Sequence, residues 1–71
     1  MTRYLIIIEQ TATGFSAYSP DVPGCVSTGS STSDVEASMR EAIAAHLEEL
    51  REDGVPAPAP TSFAAYVDVA A

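Results

Sequence analysis

From Arg3 to Glu9 the chain reads RYLIIIE, an apolar run without strict alternation, the pattern of a strand that is central in its sheet or covered on both faces. Gln10 to Thr13 is polar. Gly14 then opens a second run in which Phe15 and Ala17 alternate with Ser16 and Tyr18, which predicts a strand over 14–19, antiparallel to the first through a short turn. Cys25-Val26-Ser27-Thr28 predicts a third strand over 24–28, ended by Gly29; three strands with short links form a meander. Between the second and third strands stands Pro20-Asp21-Val22-Pro23-Gly24. Each proline fixes φ near about −65° and pushes the residue before it towards extended backbone, while glycine permits shapes that side chains forbid. Pro20, Asp21, Pro23, Gly24 and Cys25 therefore define a rigid structural corner with Asp21 at its bend.

After Gly29-Ser30-Ser31-Thr32-Ser33 the apolar period lengthens to about 3.6 residues. Val35, Met39, Ala42, Ile43, Leu47 and Leu50 form one stripe, which predicts a helix over 33–53 with that stripe on the sheet and His46 at its edge. Ser33 with Glu36 fits a capping box, and Thr32 is the alternative cap. Gly54 suits the position just past the helix, and Pro56 prevents its restart. Pro56-Ala57-Pro58-Ala59-Pro60 favours a polyproline-type crossover leading to Phe63-Ala64-Ala65-Tyr66-Val67-Asp68-Val69, a fourth strand pattern over 62–69. The expected fold is α+β: a β-β-β-α-β two-layer domain over 1–71, an antiparallel meander with one helix on one face. The other face, read as lined by Ile6, Ile8 and Tyr66, has nothing to cover it, so it should meet a second copy or a partner.

Length sharpens that expectation. A 71-residue chain buries only roughly 60% of the surface its unfolded form exposes. Small domains gain the missing stability from disulfides, metals or self-association. Cys25 alone makes no intrachain disulfide, and Cys25 with the single His46 makes no Cys/His zinc site, so self-association remains. No cofactor is implied. The single thiol suits a reducing compartment, and the amino-terminal apolar run is too short for a signal peptide or a membrane span, so a cytoplasmic protein without membrane contact is expected.

Three arginines, no lysine and ten acids give a net charge of −7. That charge repels phosphate backbones and removes the counterion-release term behind ordinary nucleic-acid binding. Direct nucleic-acid binding is not expected. Asp34, Glu41, Glu48 and Glu52 share the helix face opposite the apolar stripe. Such a stripe is more often a solvated face than a docking surface, but it is the natural place for a basic partner.

Catalysis finds little support. Cys25 and His46 are the one thiol–imidazole combination, and in these surroundings both residue types are more often packing residues than a catalytic pair. Glu9, Asp21, Asp34 and Asp68 would have to converge from separate elements to hold a divalent ion, and no spacing brings them together. No phosphate loop or dinucleotide fingerprint is present.

Tyr4 before an apolar strand ending at Glu9, Gly14-Phe15-Ser16-Ala17-Tyr18, Pro20-Asp21-Val22-Pro23-Gly24-Cys25, Glu36-Ala37, Glu41-Ala42-Ile43 and Asp53-Gly54-Val55-Pro56 with Pro58 together resemble the HicB family of antitoxins over nearly the whole chain. The resemblance implies a partial ribonuclease-H-like fold without that enzyme's carboxylate cluster, hence a non-enzymatic role. It also implies assembly into a homo-oligomer, dimer or tetramer, and a partner, a small basic HicA-like RNA-cleaving toxin that the domain binds and neutralises. The chain reaches Ala71 without the DNA-binding module that many members carry, and the Gly29–Ser33 loop is slightly longer than usual. An orphan regulatory or small-ligand-binding oligomer of the same fold is the alternative reading.

Overall fold

The computed structural model describes all 71 residues as three strands followed by a helix: β1 (Ile7–Gln10), β2 (Phe15–Tyr18), β3 (Val26–Gly29) and α1 (Thr32–Glu52). The strands form one antiparallel sheet in the order β1-β2-β3, the expected meander. Ile7 pairs with Tyr18 and Tyr18 with Val26; Ile8 pairs with Ala17 and Ala17 with Ser27. The β1–β2 turn is closed by the Thr11 amide donating to the Gly14 carbonyl at 2.8 Å.

Cross-strand partners point to the same side of a sheet, so burial of Ala17 settles the facing of all three strands. Ile8, with Ile6 two residues before it, packs against the core formed by Ala17, Val22, Cys25, Val35, Met39 and Ile43. This corrects the expectation that Ile6 and Ile8 line the uncovered face. Ile7, Tyr18 and Val26 form a row there instead, with Tyr18 and Val26 exposed.

The β1 ladder is also shorter than expected. Arg3 to Ile6 stay outside it because β2 ends at Tyr18 and turns into the corner. Ser19, buried there, donates its hydroxyl to the Leu5 carbonyl at 2.8 Å, which satisfies a polar group in the protein interior.

Val35, Met39 and Ile43 are the buried residues of α1, as the 3.6-residue stripe requires, with Leu47 packed beside them. The cap differs from the expected Ser33–Glu36 box. Ser31 has extended backbone and its hydroxyl accepts from the Asp34 amide at 3.1 Å, while the Val35 amide donates to the Ser31 carbonyl at 3.1 Å. At the other end the Val55 amide donates to the Leu50 carbonyl and the Gly54 amide to the Arg51 carbonyl, with Gly54 at φ 71°, the left-handed backbone of a Schellman close.

The fourth strand expected over 62–69 is not paired. Residues 63–71 make no backbone hydrogen bond to the rest of the chain, and Phe63, Tyr66, Val67 and Val69 are 90%, 100%, 83% and 77% exposed. The chain is consequently extended, 49 by 26 by 19 Å, with a radius of gyration of 13.9 Å against about 11 Å for a compact domain of this length.

Candidate functional site

The corner after β2 is ordered from inside. Val22 is fully buried, its amide donates to the Ser19 carbonyl, and the Cys25 amide donates to the Val22 carbonyl, so two turns follow one another. Gly24, the third residue of the second turn, has φ 87°, a conformation that few other residues adopt. Pro20 and Pro23 stay on the outside, exposed.

This scaffold presents the Asp21 carboxylate to the segment that follows the helix. Thr61 and Ser62 donate their hydroxyls to Asp21 Oδ1 at 3.2 and 2.9 Å, and the Ser62 amide donates to Oδ2 at 2.9 Å. The Ser62 amide bond is the main reason that the Asp21 pKa is held below the usual aspartate value, the two hydroxyls adding to it against partial desolvation. Upstream, Tyr4 donates its hydroxyl to the Pro58 carbonyl at 2.7 Å. The crossover is therefore fastened at two points, one on each side of the sheet's lower end. Asp21 was legible as the bend residue; its partners lie 40 and 41 positions away, beyond the reach of any local motif.

Cys25 is buried and its Sγ donates to the Ala42 carbonyl at 3.8 Å. Burial, and secondarily the negative charge of Glu49, push the thiol pKa up, so it is protonated at neutral pH and a poor nucleophile. No hydrogen bond joins it to His46, which is half-buried on α1. Glu9, Asp21, Asp34 and Asp68 do not converge, and no three His, Cys, Asp or Glu side chains are grouped to hold a metal ion.

Asp34, Glu41, Glu48 and Glu52 are all exposed on α1. Two of the four are engaged locally: Glu48 forms an ion pair with Arg51, and Asp34 accepts from the Ser30 hydroxyl at 3.1 Å. Glu41 and Glu52 make no ion pair. On the other side of the helix, between α1 and the amino-terminal strand, lies a groove of about 420 Å³ with Ile6, Ile43 and Leu47 in its floor and Arg3, Arg40 and Glu36 at its rim. It exists because α1 packs chiefly over β2 and β3, leaving β1 uncovered along one side.

A three-stranded antiparallel sheet with one helix on one face defines a small two-layer α+β domain. Residues 4–70 match the HicB-like antitoxin family of bacterial toxin–antitoxin systems, and the chain belongs to that family. It is 35% identical over 65 residues to an uncharacterized 14.9 kDa protein in the rep-hol intergenic region of Haemophilus phage HP1 (strain HP1c1), covering 92% of this chain and 49% of that protein. The chain thus spans about half the length of that curated relative. Among solved structures, a HicA3 and HicB3 toxin–antitoxin complex is similar with TM-score 0.69 and 38% identity, over 84% of this chain and 70% of the matched one. A crystal structure of antitoxin HicB3 is similar with TM-score 0.69 and 40% identity, over 80% of this chain and 42% of that one. No helix of this chain is long and apolar enough to cross a membrane.

Proposed function

We propose that this chain is an antitoxin that acts by binding: it neutralises a small, basic, HicA-like RNA-cleaving toxin in the cytoplasm and catalyses no reaction itself. Membership of the antitoxin family carries this reading, and the similarity to HicB3 in complex with HicA3 supports it. The physical means is charge. An RNA-cleaving protein must present a positive surface to phosphates, and a chain of net charge −7 with Asp34, Glu41, Glu48 and Glu52 exposed along one helix face offers a competing anionic surface. Glu41 and Glu52 contribute most, because Arg51 already offsets Glu48.

The direct test is co-expression with a HicA-like toxin. Relief of growth arrest and a purified complex are expected; a toxin that stays active and unbound refutes the reading. For the surface, the triple variant Glu41→Lys, Glu48→Lys, Glu52→Lys is expected to weaken association by on the order of tenfold or more at low salt and to flatten its salt dependence. Unchanged affinity and salt slope remove the helix stripe from the interface without touching the antitoxin role.

A further inference from the structure

Positive charge is scarce in this chain, three arginines against ten acids, and two of the three stand at one place. Arg40 is on the helix wall of the groove between α1 and the amino-terminal strand, and Arg3 is on the facing wall. Arg51 is paired with Glu48, but neither Arg3 nor Arg40 has a carboxylate within ion-pair distance. Glu36 stands one helical turn before Arg40, at the spacing where such side chains meet, and still the two do not pair. The groove therefore carries a local excess of one positive charge, while the remainder of the chain has one arginine against nine acids.

Below the arginines the surface is apolar. Ile43 and Leu47 follow Arg40 on α1, so an apolar strip runs about 10 Å along the helix from the guanidinium group, at about 1.5 Å per residue. Ala44, small and exposed, leaves that strip open. On the facing wall Ile6 is half-buried against the core, and Tyr4 is held by its hydroxyl, which donates to the Pro58 carbonyl at 2.7 Å. The walls are thus in place before anything binds. The volume of about 420 Å³ lies within the roughly 300–1,000 Å³ of small-molecule sites.

We propose that this groove binds a small anionic amphiphile, a carboxylate on an unbranched hydrocarbon chain, with the chain on Ile6, Ile43 and Leu47 and the carboxylate at Arg3 and Arg40. Guanidinium groups recognise carboxylates through charge-assisted hydrogen bonds, and these two have all their donors free of acidic partners in a fold rich in acid. An anion that enters here works against the field of a chain of net charge −7, so its selection comes from these two arginines; a cationic amphiphile is favoured everywhere else on the surface. An anionic bilayer is disfavoured by the same field, because it meets a whole face of the chain where a single free molecule meets only the groove. The groove shares no residue with the helix stripe of Asp34, Glu41, Glu48 and Glu52, so this inference goes beyond the antitoxin reading and is tested separately from it.

Titration of the isotope-labelled full chain with decanoate, followed by amide shifts, is expected to saturate at submillimolar ligand and to move Tyr4, Ile6, Arg40 and Ala44, while Tyr18 and Val26 on the outer sheet face stay still. Decylammonium, with the same chain and the opposite charge, is expected to bind about fivefold more weakly in spite of the net charge. Arg3→Gln with Arg40→Gln is expected to weaken decanoate about tenfold and to remove the preference for the anion, with the melting temperature of the free chain unchanged, since neither side chain has an ion pair to lose. Ala44→Trp fills the trough at an exposed position without altering any charge, and is expected to weaken both amphiphiles. Equal affinity for decanoate and decylammonium, shifts centred on Tyr18 and Val26, or either variant binding decanoate like the wild type overturns the proposal. Binding to phosphatidylglycerol vesicles with none to free decanoate overturns it too.

Discussion

Met39 is fully buried on α1 between Val35 and Ile43 and touches the residues that hold sheet and helix together. Met39→Ala removes three heavy atoms from a cluster of six buried apolar residues, in a chain with no larger core to absorb the gap. Large-to-small changes of this kind cost about 2–5 kcal/mol, the higher value where surrounding atoms do not collapse into the space. A domain of 71 residues has about 4–11 kcal/mol of total stability, so one substitution removes between a fifth of it and all of it. At about 4–8 °C of melting temperature per kcal/mol for a domain of this size, the expected fall is about 8 °C at the least. Thermal melts followed by far-ultraviolet circular dichroism, with urea titration for ΔG, read it out at several protein concentrations, since any self-association would stabilise the folded chain by mass action. Met39→Leu, which conserves volume, is expected to cost less than about 1.5 kcal/mol. A melting temperature for Met39→Ala within about 3 °C of wild type, or a Leu variant as unstable as the Ala one, would show that Met39 is not at the centre of the packing.

Two further outcomes follow from the corner. Because hydrogen bonds to Thr61 and Ser62 depress the Asp21 pKa in the folded chain, the carboxylate contributes stability that is present above the ordinary aspartate pKa and lost as pH falls through the depressed value, so wild type should lose its advantage over Asp21→Asn below about pH 4. Parallel stability curves for the two proteins from about pH 2 to about 7 would show that the contact is not made in solution. Cys25, with its raised pKa and its Sγ under α1, should react with an aromatic disulfide at neutral pH far more slowly than a free thiol and at the rate of global or local opening; fast labelling of folded protein would place the sulfur at the surface.

The meander and the helix were legible because each rests on periodicity within one segment: Phe15 and Ala17 against Ser16 and Tyr18, then Val35, Met39 and Ile43. The helix start was legible only to within two residues, since Ser30, Ser31, Thr32 and Ser33 are all competent caps. The choice of Ser31 follows from two bonds, Asp34 amide to its hydroxyl and Val35 amide to its carbonyl, that begin the first turn with Val35 already facing the core. The unalternating run Tyr4 to Ile8 carries no parity of its own. Which isoleucines face inward is decided across the sheet by Ala17, the small residue that lets α1 approach, and that information is not in β1. The strand expected over 62–69 does not form, because an alternating pattern says nothing about the strand it would pair with, and the Asp21 bonds that hold the root of the segment come from 40 residues away in the chain. Glu41 and Glu52 appear in sequence as members of an acidic stripe, and as exposed residues with no ion pair in the fold.

The distribution of charge divides the molecule into two surfaces that answer differently to salt. Acidic residues line the outward face of α1, while two of the three arginines flank the groove beside β1, on the other side of the same helix. A partner held by the acidic face gains Coulomb attraction from a net charge of −7 and loses it within a Debye length of about 8 Å at physiological ionic strength. Two copies of this chain carry −7 each, so the long-range field between them is repulsive, and added salt relieves it. Rising ionic strength should therefore weaken binding of a basic toxin and strengthen self-association, opposite signs from one chain.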